Sequence, residues 1–188
     1  MSHLTQKAIE ATFLSLLEEK PLSRITVREL SAACGINRKT FYNHYDGLDT
    51  LLEQVLLRPM EAAAGGSCGW LDAFCKLAAF LQEQKNPVLH VYACDARECL
   101  QRRLECVAMQ IVKGQLARVC CCPETATDET EQEQACAFYA AGFAGMFDAW
   151  LRGGMEEDIA ARLRMLERGL CALPRCFVAM PSGENYTV

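Results

Sequence analysis

The sequence predicts an all-α protein of about nine helices, and three observations carry that prediction. Apolar residues recur at helical spacing along most of the chain, as in Ile9, Phe13, Leu16 and Leu17, or Leu100, Leu104, Val107 and Ile111. No alternating run is long enough to make a strand. The breaks between periodic segments are prolines, glycines and capping residues, which start and stop helices.

Residues 3–19 form the first expected helix, ended by Pro21 and packed on Val27, Leu30, Ile36 and Phe41. Thr26 opens the second. Glu29 follows at capping-box spacing, so the Thr26 hydroxyl takes a backbone N–H while Glu29 reaches back to the cap. This helix runs through Leu30 to Cys34, and Ala32 and Ala33 are small enough to admit a neighbouring helix. Gly35 tolerates the left-handed conformation of a helix end, Ile36 plugs the corner, and Asn37 caps a third helix bearing Arg38, Lys39, Thr40, Phe41 and Tyr42. Leu48 to Met60 makes the fourth, with Leu48, Leu51, Leu52 and Val55 inward and Pro59 placed to kink it. Small residues at 62–69 mark a domain boundary. Trp70 to Lys85 is the fifth helix. Asn86 caps the sixth, with Pro87 at its first position. Asp95 to about Cys120 is the seventh, stopped by Pro123. The eighth opens within the acidic run 123–134, reaches Trp150 or Leu151 and ends at Gly153-Gly154. Glu156 to Leu170 is the ninth.

Two short helices joined by a glycine turn of this length form a helix-turn-helix, whose second helix enters the DNA major groove. Arg38 and Lys39 can reach base edges or phosphates, Thr40 and Asn43 can hydrogen-bond, and Tyr42 and His44 can contact the backbone. Thr26, Arg28 and Asn37 complete the candidate DNA-binding set. The competing reading is a helical hairpin with a solvated basic face. Formal net charge is −5, and residues 1–50 balance Lys7, Lys20, Arg24, Arg28, Arg38 and Lys39 against Glu10, Glu18, Glu19, Glu29, Asp46 and Asp49. DNA contact must then be local and geometric, not a matter of bulk attraction.

The stretch ITVRELSAACGINRKTFYNHYDGLDTLLEQVL, residues 25–56, resembles the DNA-binding domain of the TetR family of transcriptional regulators. The resemblance implies an all-helical homodimer, probed by a small-molecule effector, that acts as a ligand-responsive repressor on a double-stranded DNA operator. Where the family often has a Lys just after the recognition helix, this chain has Asp46, Gly47, Leu48 and Asp49, so that phosphate contact is not carried over. FYAAGFAGMFDAWLRGG, residues 138–154, resembles the eighth helix of a TetR-type branch that includes the regulator of dihydroxyacetone-kinase operons. In that branch the eighth and ninth helices of two subunits form a four-helix bundle. The dimer interface implied here is Gly142, Gly145, Met146, Ile159, Leu163 and Leu166. The alternative is that the glycines pack within one subunit. The expected division is 1–47, a helix-turn-helix domain; 48–61, a connecting helix; and 62–188, a ligand-sensing and dimerisation domain.

Trp70, Phe74, Tyr92, Met109, Phe143, Phe147 and Trp150 are candidates for lining an apolar effector pocket, although each taken singly is first of all what a helical core needs. His3, His44 and His90 lie in different helices, and no Ser-His-acid, Cys-His or phosphate-loop pattern is present, so no enzyme activity, cofactor or metal is expected. The chain has twelve cysteines, which leaves a second function open: a thiol-based redox or metal-responsive helical protein, sensor or enzyme, with an incidental helix-turn-helix. No CxxC pair exists, and the simpler reading makes the cysteines core filler, with Cys99 and Cys106 buried on the seventh helix and Cys120, Cys121 and Cys122 of mixed exposure. No leader or membrane-spanning run is visible, so a cytoplasmic location is expected.

Overall fold

The computed structural model describes residues 2–66, 69–119 and 129–170, and nine helices lie within them. Helix α1 (Ser2–Glu19) leads through one 3-10 turn (Leu22–Arg24) to α2 (Val27–Ala33) and α3 (Arg38–Tyr42). Helix α4 is continuous over 48–64 and is built from Leu48–Leu52, a π-helical turn Glu53–Leu57, and Arg58–Ala64. Then come α5 (Trp70–Glu83), α6 (Lys85–Tyr92), α7 (Arg97–Val119), α8 (Glu129–Arg152) and α9 (Ile159–Leu170). One continuous apolar core runs from Ile9 on α1 to Leu163 on α9. Helices α7 and α8 pack along their lengths, α9 and the last turns of α4 lie against α5, and α6 lies against α1.

Two local details differ from the sequence reading. Helix α6 starts at Lys85, so Pro87 occupies its third position and Asn86 is no cap. The proline is still harmless there, because the first four helical N–H groups have no intrahelical partner. Asn86 instead donates to Glu18 on α1 at 3.0 Å. In α4 the buried residues step from Leu51 and Leu52 to Leu56 and Leu57, leaving Val55 half-buried. That step of five is what an i→i+5 turn produces, and the Arg58 N–H does bond to the Glu53 carbonyl. The widened turn lies just before Pro59, whose ring would otherwise press on the carbonyl of residue 55.

Candidate nucleic-acid interface

Thr26 sits in extended backbone just ahead of α2, and its hydroxyl accepts the Glu29 N–H at 3.2 Å. A cap of this kind is worth about 1 kcal/mol. The reciprocal half of the capping box gives way to a charge pair: the Glu29 carboxylate binds the Lys20 ammonium. A charged donor holds a carboxylate more strongly than one backbone N–H does.

Helix α2 closes at Gly35, which takes φ +66°. The Gly35 N–H reaches the Ala32 carbonyl at 3.1 Å and the Ile36 N–H reaches Ser31 at 3.0 Å. These two bonds satisfy the last carbonyls of α2 and fix the direction in which the chain leaves it. Ala32 and Ala33 are exposed, so the small buried residue of this helix is Ser31 and not the two alanines.

Asn37 caps α3. Its Oδ1 accepts the Thr40 N–H at 2.7 Å and the Thr40 hydroxyl at 3.0 Å. Asn37 and Thr40 therefore hold each other, which leaves the Asn37 amide nitrogen and the Thr40 oxygen lone pairs for an outside partner. Phe41 is fully buried beneath the helix, while Arg38, Lys39, Tyr42 and Asn43 are exposed. Arg28 on α2 is exposed too, and none of Arg28, Arg38 and Lys39 has an ion-pair partner among the described residues. A neutral half-domain thus keeps three uncommitted cations on its helix-turn-helix. His44 is half-buried beside the Tyr45 ring.

Tyr45 is not among the residues the sequence singles out, yet it anchors the unit. It is 5% exposed and donates to Glu10 Oε1 at 2.7 Å. Gln6 donates to the same oxygen at 3.0 Å. Burial, reinforced by the Glu10 carboxylate, pushes the Tyr45 phenol up to about 12. The available signal is its spacing: Tyr45 follows Phe41 by four residues, and the two rings pack at 5.8 Å.

This geometry is a capped, glycine-turned helix pair with an exposed polar second helix. A family model described as "Bacterial regulatory proteins, tetR family" matches residues 10–55. A second, described as "Transcriptional regulator C-terminal region" (TetR_C_8), matches residues 69–170. The chain belongs to the TetR family. It is a DNA-binding transcriptional regulator, of a family that is generally non-enzymatic. Among solved structures it is similar to "Dihydroxyacetone kinase operon activator DhaS", with a TM-score of 0.71 and 17% identity over 90% of this chain and 97% of that one. That likeness shows the fold. No curated protein matches the sequence.

In this TetR-family chain, two further side-chain bridges, besides Asn86–Glu18, tie α1 and α4 to the rest of the described residues. His90 on α6 places Nδ1 2.6 Å from the Leu17 carbonyl on α1. That carbonyl lacks its usual helical donor, because the residue four positions on is Pro21. On the other side, Arg103 of α7 grips both Glu53 and Glu61 of α4. Burial works against the Arg103 charge, but the two carboxylates outweigh it and raise its affinity for the proton. Neither bridge is visible from local sequence.

The effector candidates separate into two groups. Phe74 stacks on Phe143 with ring centroids 4.2 Å apart, and Trp70, Phe147 and Trp150 extend the same aromatic cluster between α5 and α8. The Trp150 indole N–H is satisfied by the Glu157 carbonyl at 2.9 Å. Tyr92 and Met109 lie elsewhere. Met109 lines a groove of about 410 Å³ between α7 and α8, together with Gln101, Gly145 and Asp148. Tyr92 donates to Asp148 at 2.7 Å, as does Gln101, with Arg97 over the Tyr92 ring. Burial alone would raise the Asp148 pKa; those two hydrogen bonds and the charges of Arg152 and Arg97 outweigh it, so the carboxyl sits below its usual range.

The residues implied for the dimer also divide. A Cβ at Gly142 or Gly145 would meet nothing within 4 Å among the described residues, so no described neighbour requires glycine at either position. Met146 is half-buried and Leu166 is 39% exposed. Ile159 and Leu163, by contrast, turn into the chain's own core, where their surface is already used.

The cysteines require a correction. Cys99 and Cys106, expected as buried filler, are both exposed. Cys99 and Cys106 each stand one residue ahead of a buried apolar residue, Leu100 and Val107, and one helical residue turns a side chain by about 100°. Cys120, Cys121 and Cys122 lie outside the described residues. Among the described residues no group of His, Cys, Asp and Glu could hold a metal ion, and no helix is long and apolar enough to cross a membrane.

Proposed function

We propose that this TetR-family regulator works as a homodimeric, effector-responsive repressor in which α3 reads the operator. Arg38, Lys39, Tyr42 and Asn43 meet the major groove and its phosphates, Arg28 and His44 contact the flanking backbone, and Thr26, Asn37 and Thr40 position the helix while offering their remaining polar atoms. Residues 1–47 are the reading head, 48–61 the connecting helix, and 62–188 the sensing and dimerisation domain. The observation that carries this reading is the exposed Arg38-Lys39 pair, without an ion-pair partner among the described residues, on a helix fixed by an Asn37 cap and a buried Phe41.

Dimerisation through α8 and α9 is supported by apolar side chains that the described residues leave uncovered: on α8, Phe138 is 75% exposed, four and seven residues before open Gly142 and Gly145, and on α9, Met165 is 67% exposed. Each helical glycine costs about 1 kcal/mol against alanine, and close approach of a second subunit gives that cost a purpose. The effector is a small, largely apolar or aromatic molecule taken by the Trp70, Phe74, Phe143, Phe147 and Trp150 cluster, while Tyr92 and Met109 stand apart from that cluster, at Asp148 and in the α7–α8 groove. A ligand that parts these rings moves α5, against which the last turns of α4 pack.

The test is binding to a duplex selected by the protein from a random pool. The Arg38→Ala/Lys39→Ala variant should bind about tenfold or more weaker with unchanged circular dichroism, and its salt dependence should flatten by about one to two phosphate contacts. Equal affinity of variant and wild type removes α3 from the interface.

A further inference from the structure

Cys99 and Cys106 are the two exposed members of the described cysteines, and both line one groove of about 320 Å³ between α7 and α4. Leu52 and Leu57 form its apolar side on α4, and Arg102 and Arg103 stand on α7. Arg103 is committed to Glu53 and Glu61, whereas Arg102 is exposed and has no ion-pair partner among the described residues. Cys99, Arg103 and Cys106 are spaced four and three residues apart, which puts them on one face of α7.

We propose that this groove is a covalent addition site for small α,β-unsaturated carbonyl compounds, with Cys99 and Cys106 as the nucleophiles and α4 as the element the adduct displaces. The thiol gives its proton to solvent, and the sulfur attacks the β-carbon. A C–S bond forms, the C=C π pair moves toward the carbonyl, and the α-carbon then takes a proton from water. Nothing is oxidised or reduced. Arg102 supplies a donor for the carbonyl oxygen, whose negative charge grows as the bond forms, and Leu52 and Leu57 take the carbon chain. A disulfide between the two cysteines is excluded, since seven helical residues rise about 10 Å and a disulfide needs Cα atoms within about 7 Å. Each thiol therefore acts alone. An adduct fills the space across which Arg103 reaches Glu53, the first residue of the π-turn, so adduct and clamp compete for α4. The consequence for DNA rests on the reading of α3 as the recognition helix; the addition itself does not.

The full chain is exposed under native conditions to crotonaldehyde and, separately, to N-ethylmaleimide. Adducts are located by peptide mass mapping, and affinity is measured on a duplex selected by the untreated protein. Cys99 and Cys106 should be modified about tenfold faster than half-buried Cys75 and buried Cys136. Affinity should fall about tenfold or more, and the Cys99→Ser/Cys106→Ser variant should keep its affinity under the same exposure. Modification confined to other cysteines, full modification of both with affinity changed by less than about twofold, or an equal loss in the double variant overturns the proposal. If the untreated protein selects no duplex, the DNA-reading assignment has failed, and the adduct map alone then upholds or sinks the site.

Discussion

Replacing His90 with Phe keeps a planar ring in place and removes a single donor. In the wild type, His90 Nδ1 lies 2.6 Å from the Leu17 carbonyl. A carbonyl only accepts, so that ring nitrogen carries the proton. The carbonyl has no helical donor to fall back on, because Pro21 occupies the position that would supply one. Leaving a buried acceptor unpaired costs about 1–3 kcal/mol. His90 is half-buried, so water recovers part of this, and the expected loss is about 1–2 kcal/mol. At this chain length that lowers the melting temperature by about 2–8 °C. Urea and thermal melts followed by circular dichroism, at one fixed protein concentration, measure it. His90→Gln keeps an N–H and should recover part of the loss. A Phe variant within about 0.3 kcal/mol of wild type, or a Gln variant no better than Phe, would refute the idea that the proline-orphaned carbonyl is what His90 serves.

Three further outcomes are expected. Gly145→Leu puts a bulky side chain on the open face of α8 and should shift the sedimenting species to monomer while the helix-turn-helix stays folded; an unchanged dimer places the interface elsewhere. Tyr45 holds its proton up to about 12 against an ordinary value near 10, so its contribution is complete below about pH 10 and is lost as pH rises toward 12. Phenolate absorbance should accordingly show a late-titrating tyrosine that disappears in Tyr45→Phe, and wild type and variant should converge in stability over that window. Arg103→Met keeps the aliphatic stem but strands Glu61 and leaves Glu53 only the longer contact to Arg58 at 3.9 Å; with both carboxylates about one-third exposed or less, the loss should be about 1–3 kcal/mol in urea melts and should shrink at high salt.

The reading head was legible because its determinants are local. The Thr26 and Asn37 caps each act over three residues, and the Gly35 turn closes through bonds spanning three and five. Such interactions are written in consecutive residues, and the order Thr, Gly, Asn with a buried Phe41 leaves few other conformations open. Helical periodicity placed the remaining helices for the same reason, since the capping and breaking residues lie beside the segments they delimit. Where local choices competed with a distant partner, the distant partner decided: Glu29 took Lys20 instead of its cap, and Asn86 took Glu18.

By itself, then, the sequence determined the all-helical class, the helix-turn-helix and its exposed α3 face. The tertiary structure alone decided what those helices meet. Only packing brings the Leu17 carbonyl, freed by Pro21, under His90, and only packing sets Arg103 against a π-turn that shifts the buried face of α4 by one residue. The same holds for Cys99 and Cys106. Buried Leu100 and Val107 are their immediate neighbours, and about 100° of helix separates core from solvent. Periodicity gives a helix an apolar stripe but not the edge at which the neighbouring helix stops covering it, and that edge is where these two thiols lie.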